Sequence, residues 1–538
     1  MLNRLMQQFN FIKESLRKEK DDAESNNTDQ SKKEELSKSL ATNLEKLRST
    51  LGSSNDIVIR EFNIGLDNGP EACLLFIDGL VNKEMINEDI MRAIMIDSRI
   101  IEDTVSVKKH HLLDVLKENS LFTCELKEVY TFEEVIQAIL SGETIVLVDG
   151  YESGLQLGTR GWDYRAISEP QTEAVVRGPR EGFTETLRVN TALLRRKIKD
   201  PNLTFESTKI GEVTKTDVSI AYVKGIANLK VVEEIKKRLA RIKIDGILES
   251  GQIEQLIEDA PLSIFATVGN SEKPDVTAAK LLDGKVAIMT DGTPIVLIVP
   301  YLFIESVQNS EDYYSRPWYS SLIRWIRFAA LGITLFLPAI YIVSQSYHHE
   351  MIPTILLITM AAARSGVPFP VLVETLLMAL AFEILREAGV RMPKAVGQAV
   401  SIVGALVLGQ AAVEAGIVSA PSVIVIALTA IAGFLIPSQT DSMSILRFLF
   451  MILAGVGGLF GILWGMILVL IHLVKLRSFG IPYMSPIAPM NLGEEVKEVM
   501  MVAPIWKRNK RQPLIGKENP KRGENEMPKP PEKDGNEV

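Results

Sequence analysis

The apolar block from about Leu322 to Leu476 limits what this 538-residue chain can fold into more than any other stretch. Its runs Ile326–Val343, Pro370–Leu385, Val396–Val413, Val423–Ile436 and Phe448–Val474 approach or reach the length that crosses the roughly 30 Å hydrocarbon layer of a bilayer. Charged residues inside the block are sparse and fall mostly where one run gives way to the next. The residues before it have the texture of soluble α/β protein, and those after it make a short basic tail. The expected fold class is therefore a multi-pass α-helical membrane domain preceded by a cytosolic α/β head of two subdomains. The net charge of −8 averages unlike parts and decides nothing.

The expected organisation is a charged, mobile or helical lead-in over 1–55, α/β subdomains over 56–162 and 163–315, a transmembrane domain over 322–476, and a basic cytosolic tail over 477–538, disordered after about 513. Leu36, Leu40, Leu44 and Leu47 form a short helical stripe within the lead-in. In the first subdomain, Ile57–Ile64, Ala72–Ile77 and Glu143–Asp149 read as strands, and Phe132–Leu140 as a helix capped by Thr131. In the second, Thr184–Ile198 reads as a helix with Leu187, Leu194 and Ile198 beside Arg188, Arg195 and Arg196. Thr290-Asp291-Gly292-Thr293 predicts a hairpin, because Asp-Gly tolerates positive φ. Trp318, Tyr319 and Trp325 lead into the block, as interfacial aromatics do. The stretch MLNRLMQQFNFIKESLRKEK does not read as a secretory signal, and the head is expected to be cytosolic. The two cysteines, Cys73 and Cys124, lack metal or redox spacing and read as core thiols.

Topology turns on Met351–Ala363, too short for an ordinary crossing helix. Counted as a span, it makes six crossings and returns the basic tail to the side of the head, which suits Lys475 and Arg477. Counted as re-entrant, it makes five and reverses that outcome, while Arg386, Arg391 and Lys394 move to the side that Lys/Arg bias prefers. The cytosolic tail is the favoured reading.

Three features of the block are candidate functional positions. Gly457, Gly461 and Gly465 recur every four residues and form a groove for close helix packing, within one subunit or between subunits around a shared axis. Glu374 lies in an apolar run, where an ionised carboxylate is costly, and is the candidate ion-pathway residue unless the helix begins late enough to leave it at the interface. Glu383, with Arg386 and Glu387 close behind it, reads as an interfacial charge cluster. On an ideal helix Glu374 and Glu383 face opposite sides. In the head, the most distinctive loop carries Glu173, Arg177, Gly178, Arg180, Glu181 and Gly182. It reads either as a structural loop whose arginines pair with Glu173 and Glu181, or as an anion site beside a helix N-terminus.

No nucleotide-binding, hydrolase or paired-cysteine motif is present, and His348-His349-Glu350 lacks metal-ligand spacing, so neither an enzyme, a metal site nor a cofactor is expected.

The stretch EPQTEAVVRGPREGFTE (169–185), continuing TLRVNTALLRRKIKDPNL, resembles the signature of the GerA family of spore germinant receptor A subunits. The resemblance runs on through GEVTKTDVSIAYVKGIAN, ILESGQIEQLIEDAPLSIFATV, DGTPIVLIVPYLF and EDYYSRPWYSSLIRWIR, and resumes at Gly480-Ile481-Pro482-Tyr483, spanning about 57–513. It implies a protein of the spore inner membrane that oligomerises into a nutrient-gated, cation-releasing channel. The implied partners are a transporter-like, nutrient-binding B subunit and a lipoprotein C subunit, with membrane lipid and no nucleic acid. A germination amplifier like stage V sporulation protein AF, a transporter and a membrane scaffold are the alternatives.

Overall fold

The fold was analysed in a computed structural model, which describes residues 34–52, 54–64, 69–97, 125–161, 169–170, 173, 175–392, 409–489, 499–512, 514–516 and 518–528. The chain divides into two compact units. The first comprises residues up to Ala166 together with Arg188–Glu206; the second comprises Ile167–Leu187 and everything from Ser207 onward. The chain thus passes between the units more than once, where the sequence suggested a single boundary near 163.

In the first unit, α1 (Leu40–Leu51) precedes strands β1 (Ile57–Asn63) and β2 (Glu71–Ile77). β3 (Leu126–Val129), α2 (Phe132–Leu140), β4 (Thr144–Val148), β5 (Gly154–Leu157) and most of α3 (Leu187–Lys197) complete it. The strands form one sheet in the order β1-β2-β4-β5-β3, and every pair is antiparallel. Strand periodicity of two sends Cys73, Leu75 and Ile77 to one face, and Ala72, Leu74 and Phe76 to the other. Both faces are covered, so β2 is apolar from Ala72 onward. The expected N-cap at Thr131 is present, and Glu134 completes it as a capping box.

Two sequence expectations change here. Leu36, Leu40, Leu44 and Leu47 are buried with α2 in the core, so residues from 36 onward belong to the unit rather than to a lead-in. Arg195 does not line a solvated face. It is fully buried, its Nε is 2.8 Å from Asp56 Oδ2, and its remaining donors reach Ser54 and the carbonyl of Asp200. Cys73 is a core thiol pushed up to about 12 by burial; Cys124 lies outside the described residues.

The second unit begins with a five-stranded sheet in the order β6-β7-β9-β10-β8. Its elements are β6 (Leu203–Ile210), whose first residues still belong to the first unit, β7 (Thr216–Val223), α4 (Leu229–Ala240), α5 (Ser250–Ile257), β8 (Gly269–Ser271), α6 (Pro274–Leu282), β9 (Val286–Thr290) and β10 (Val296–Val299). The hairpin expected at Asp291-Gly292 joins β9 to β10. Val231, Ile235 and Leu239 of α4 pack with Ile253 and Ile257 of α5 over Ile220 and Ile288. Short α7 (Glu311–Tyr314) then leads into α8 (Pro317–Ser346). Arg324 and Arg327, which flank the apolar block, are buried and both pair with Asp312.

The apolar bundle continues with α9 (Thr354–Arg364), α10 (Val371–Arg391), a helical stretch at 409–414, α11 (Ala420–Gly433) and α12 (Thr440–Lys475). Most of the expected run Val396–Val413 lies outside the described residues. The run Phe448–Val474 is not one rod. Gly458 has φ +59° and ψ −144°, outside helical space, and the chain doubles back there. At one end, Ser442 Oγ donates to the carbonyl of Ile264 and His472 Nε2 lies 2.9 Å from Ser263 Oγ, so the two arms return to the same place. At the turn, Tyr347 at the far end of α8 donates to the carbonyl of Gly455 at 2.6 Å. The arms, 440–457 and 459–475, are each about 25 Å long at 1.5 Å per residue.

This hairpin also settles how the bundle closes on itself. α8 runs away from the 264–312 region and ends beside Gly458, and the chain comes back along α10 and α11. α9, about 16 Å long at 1.5 Å per residue, stays at the far end and does not run back through the bundle. The last arm returns the chain to the side from which α8 departed. There, Val499, Val502 and Ile515 are buried, the last of them beyond the point where disorder was expected.

Candidate functional site

Glu374 is wholly buried, three residues into α10 and not at an exposed edge. A carboxylate in the first turn of a helix is favoured by the peptide dipoles. The rest of its environment comes from other helix ends. Ser419, the N-cap of α11, donates to Glu374 Oε1 from its backbone N–H at 2.6 Å and from its hydroxyl at 2.5 Å. Arg364, the last residue of α9, places Nε 3.6 Å from Oε2, an ion pair without a hydrogen bond. Tyr341 of α8 lies 3.4 Å from Ser419 Oγ. Three helix ends therefore converge on one acidic group in an apolar bundle. One carboxylate oxygen is saturated with donors and the other faces a cation that it does not hydrogen-bond.

Glu383 makes a separate cluster. It pairs with Arg386 at 2.7 Å, as its spacing predicted, and also with Arg447 of α12, while Ser444 donates to it at 3.2 Å. Glu387 instead joins Arg391 at the exposed end. The opposite facing expected for residues nine apart is realised as two partner sets on different helices.

The three glycines behave differently from one another. Gly457 faces open space. A Cβ on Gly461 would collide with the carbonyl of Leu453, and one on Gly465 would meet Leu453 Cδ1 at 2.7 Å and Phe450 Cε1 at 3.0 Å. At Gly461 and Gly465 the groove is filled within the subunit, by the first arm of the same helix.

The signature loop is a strap. Glu173 accepts from Ser271 Oγ of β8 at 2.8 Å, and burial pushes its carboxyl up to about 7, against the pull of that hydrogen bond and of Lys273. Lys273 is itself buried, 3.6 Å from Asp275, whose Oδ2 accepts from Tyr314 at 2.7 Å. Gly178 has φ +143° and sits on the Tyr314 ring, which a Cβ would meet at 2.9 Å. The backbone N–H groups of Val176 and Arg177 donate to Glu311. Arg180 pairs with Glu169 at 3.5 Å, not with Glu173 or Glu181, which corrects the pairing expected from sequence. Gly182 is buried, and Phe183 beside it donates to the carbonyl of Glu272 at 2.7 Å. At the adjoining helix, the place of the alternative anion site, the N–H of Leu187 donates to Asp291 at 2.9 Å and that of Thr186 to the Thr184 hydroxyl at 3.3 Å.

Ser419, Arg447 and Tyr341 were missed from sequence because each acts through a partner distant in the chain. The one local signal was Ser419-Ala420-Pro421, an N-cap with proline close behind it. Among the described residues, no group of acidic, histidine or cysteine side chains is arranged to hold a metal ion.

The family model for Bacillus/Clostridium GerA spore germination protein matches residues 45–514. Spore germination protein KA of Bacillus subtilis is 44% identical over 92% of this chain and 90% of its own length. Stage V sporulation protein AF of the same organism is 33% identical over 85% of this chain and 90% of its own. The crystal structure of the N-terminal domain of the A subunit of the Bacillus megaterium spore germinant receptor GerK3 aligns at 38% identity with 50% of this chain and 97% of that domain, with a TM-score of 0.40. With the family pattern matched from α1 to the buried tail, this chain belongs to the GerA family of spore germination proteins.

Proposed function

We propose that this protein is the membrane-embedded A subunit of a spore germinant receptor, and that it oligomerises into a nutrient-gated channel releasing cations as germination begins. The observation that carries the membrane reading is the outer surface of the bundle. Ile355, Val456, Phe460, Trp464 and Leu468 are exposed there, an apolar skin that water does not tolerate at this extent. The segments α8, α10, α11 and both arms of α12 supply five crossings. The apolar run Val396–Val413, read from sequence as a span, makes six. An even number puts the basic tail beside the head, and both are read as cytosolic, at the spore inner membrane. The family supplies the partners: a nutrient-binding, transporter-like B subunit, a lipoprotein C subunit, and further copies of this chain. Identity to protein KA exceeds that to the stage V protein, which favours a receptor subunit over an amplifier.

The Glu374 node is the candidate ion-pathway position, since broken helices meeting at a buried carboxylate are the usual construction of intramembrane ion sites. The test is cation flux from liposomes containing the assembled receptor, triggered by nutrient, with wild type and Glu374→Gln. Loss of flux in the variant with assembly intact supports the pathway. Unchanged flux removes Glu374 from it, and no flux from wild-type receptor that still triggers germination removes the channel reading altogether.

A further inference from the structure

An open cavity of about 570 Å³ lies where the last arm of α12 ends and the chain turns back through the short hairpin 477–482. Arg238 of α4 lines it. Its guanidinium donates to Glu234 at 2.9 Å, to Asp259 at 2.6 Å and to the carbonyl of Ile257 at 2.6 Å, and stacks 4.4 Å from the Phe479 ring. Phe479 adopts φ +49°, a left-handed conformation that a bulky residue avoids, and its N–H donates to Asp259. The strained backbone and the stacked cation fix the shape of the pocket.

Both carboxylates of the cavity are committed to Arg238. Lys475 and Arg477, also on its wall, are exposed and have no ion-pair partner among the described residues. The carbonyl end of the helix carries roughly half a negative charge, which these two full charges outweigh. We infer that this cavity binds a phosphate-bearing anion, and that its source is the headgroup of an anionic phospholipid. This source rests on the membrane reading above. Lys475 closes an apolar arm and so stands at headgroup depth, and exposed Trp318, Tyr319 and Trp325 mark the head side of the bundle as interfacial. Arginine matches the planar geometry of phosphate oxygens, and lysine adds a point charge.

The test uses the full chain with Lys475→Gln and Arg477→Gln combined, against a charge-matched control carrying Lys215→Gln and Lys224→Gln. Retention of phosphatidylglycerol is measured in nanodiscs of equimolar phosphatidylcholine and phosphatidylglycerol. Thermal protection by glycerol phosphate is measured in phosphatidylcholine discs and in detergent. The site variant should lose retention roughly ten-fold while the control keeps it. Protection by glycerol phosphate equal to that by the lipid, and lost only in the site variant, upholds the phosphate site and assigns a dissolved source. Equal behaviour of both variants in every arm overturns the site. A chain that enters no disc fails the membrane reading instead, and the detergent arm still decides the pocket.

Discussion

Ser442 and His472 belong to one unbroken stretch of helix-forming sequence, 440–475, yet they dock on adjacent residues, Ile264 and Ser263. The reversal between them depends on Gly458, whose φ of +59° costs an L-residue about 1–2 kcal/mol. Gly458→Val should therefore splay the two arms. Distances between spin labels near 442 and 472 should lengthen in the variant, and unchanged distances would show that packing alone holds the turn.

Gly461→Leu should act on the subunit before it acts on any assembly. Its side chain would be driven into the backbone of Leu453, so monomer melting should fall together with, or ahead of, oligomer yield. Full monomer stability with lost oligomers would return the glycine series to an interface between subunits.

Truncating Glu374 to alanine strands two Ser419 donors and the Arg364 guanidinium. A loss of about 3 kcal/mol is expected. Glu374→Gln keeps an acceptor for Ser419 and should lose less than half of that. Melting of both variants in detergent checks the order, and equal losses would point to the charge rather than the hydrogen bonds.

Arg195→Met should destabilise the first unit by about 3–5 kcal/mol, because Asp56 is left charged and buried. Adding Asp56→Asn should recover part of the loss. Denaturant titration of the single and double variants measures the coupling.

Glu173 carries a pH dependence. Its carboxyl is raised from 4.5 to about 7 in the folded state, so the folded chain holds the proton more tightly than the unfolded chain does. The stabilisation linked to that proton is complete below about 4.5 and is lost as pH rises through about 7. Glu173→Gln should gain on the wild type across this window, by on the order of 2 kcal/mol at pH 8. Denaturant midpoints at pH 5 and pH 8 give the comparison. Glu254, also raised to about 7, is common to both proteins and cancels.

Much of this protein is determined locally and was legible in the order of its residues. The apolar runs, the cap at Thr131 and the turn at Asp291-Gly292 depend on side chains a few positions apart. The signature loop was equally plain as a motif. What the loop grips was not, since Ser271, Tyr314 and Glu311 reach it only through the fold. The same holds for the buried charges. Nothing local to Arg195, Arg324 or Arg447 marks its partner, and tertiary contacts supply Asp56, Asp312 and Glu383. Hydropathy counts apolar residues without registering a single reversed dihedral, so only the fold divides 440–475 into two arms at Gly458. That reversal, and not the short helix at 354–364, returns the last arm to the side from which α8 departed, because chain direction is set by where helix ends pack.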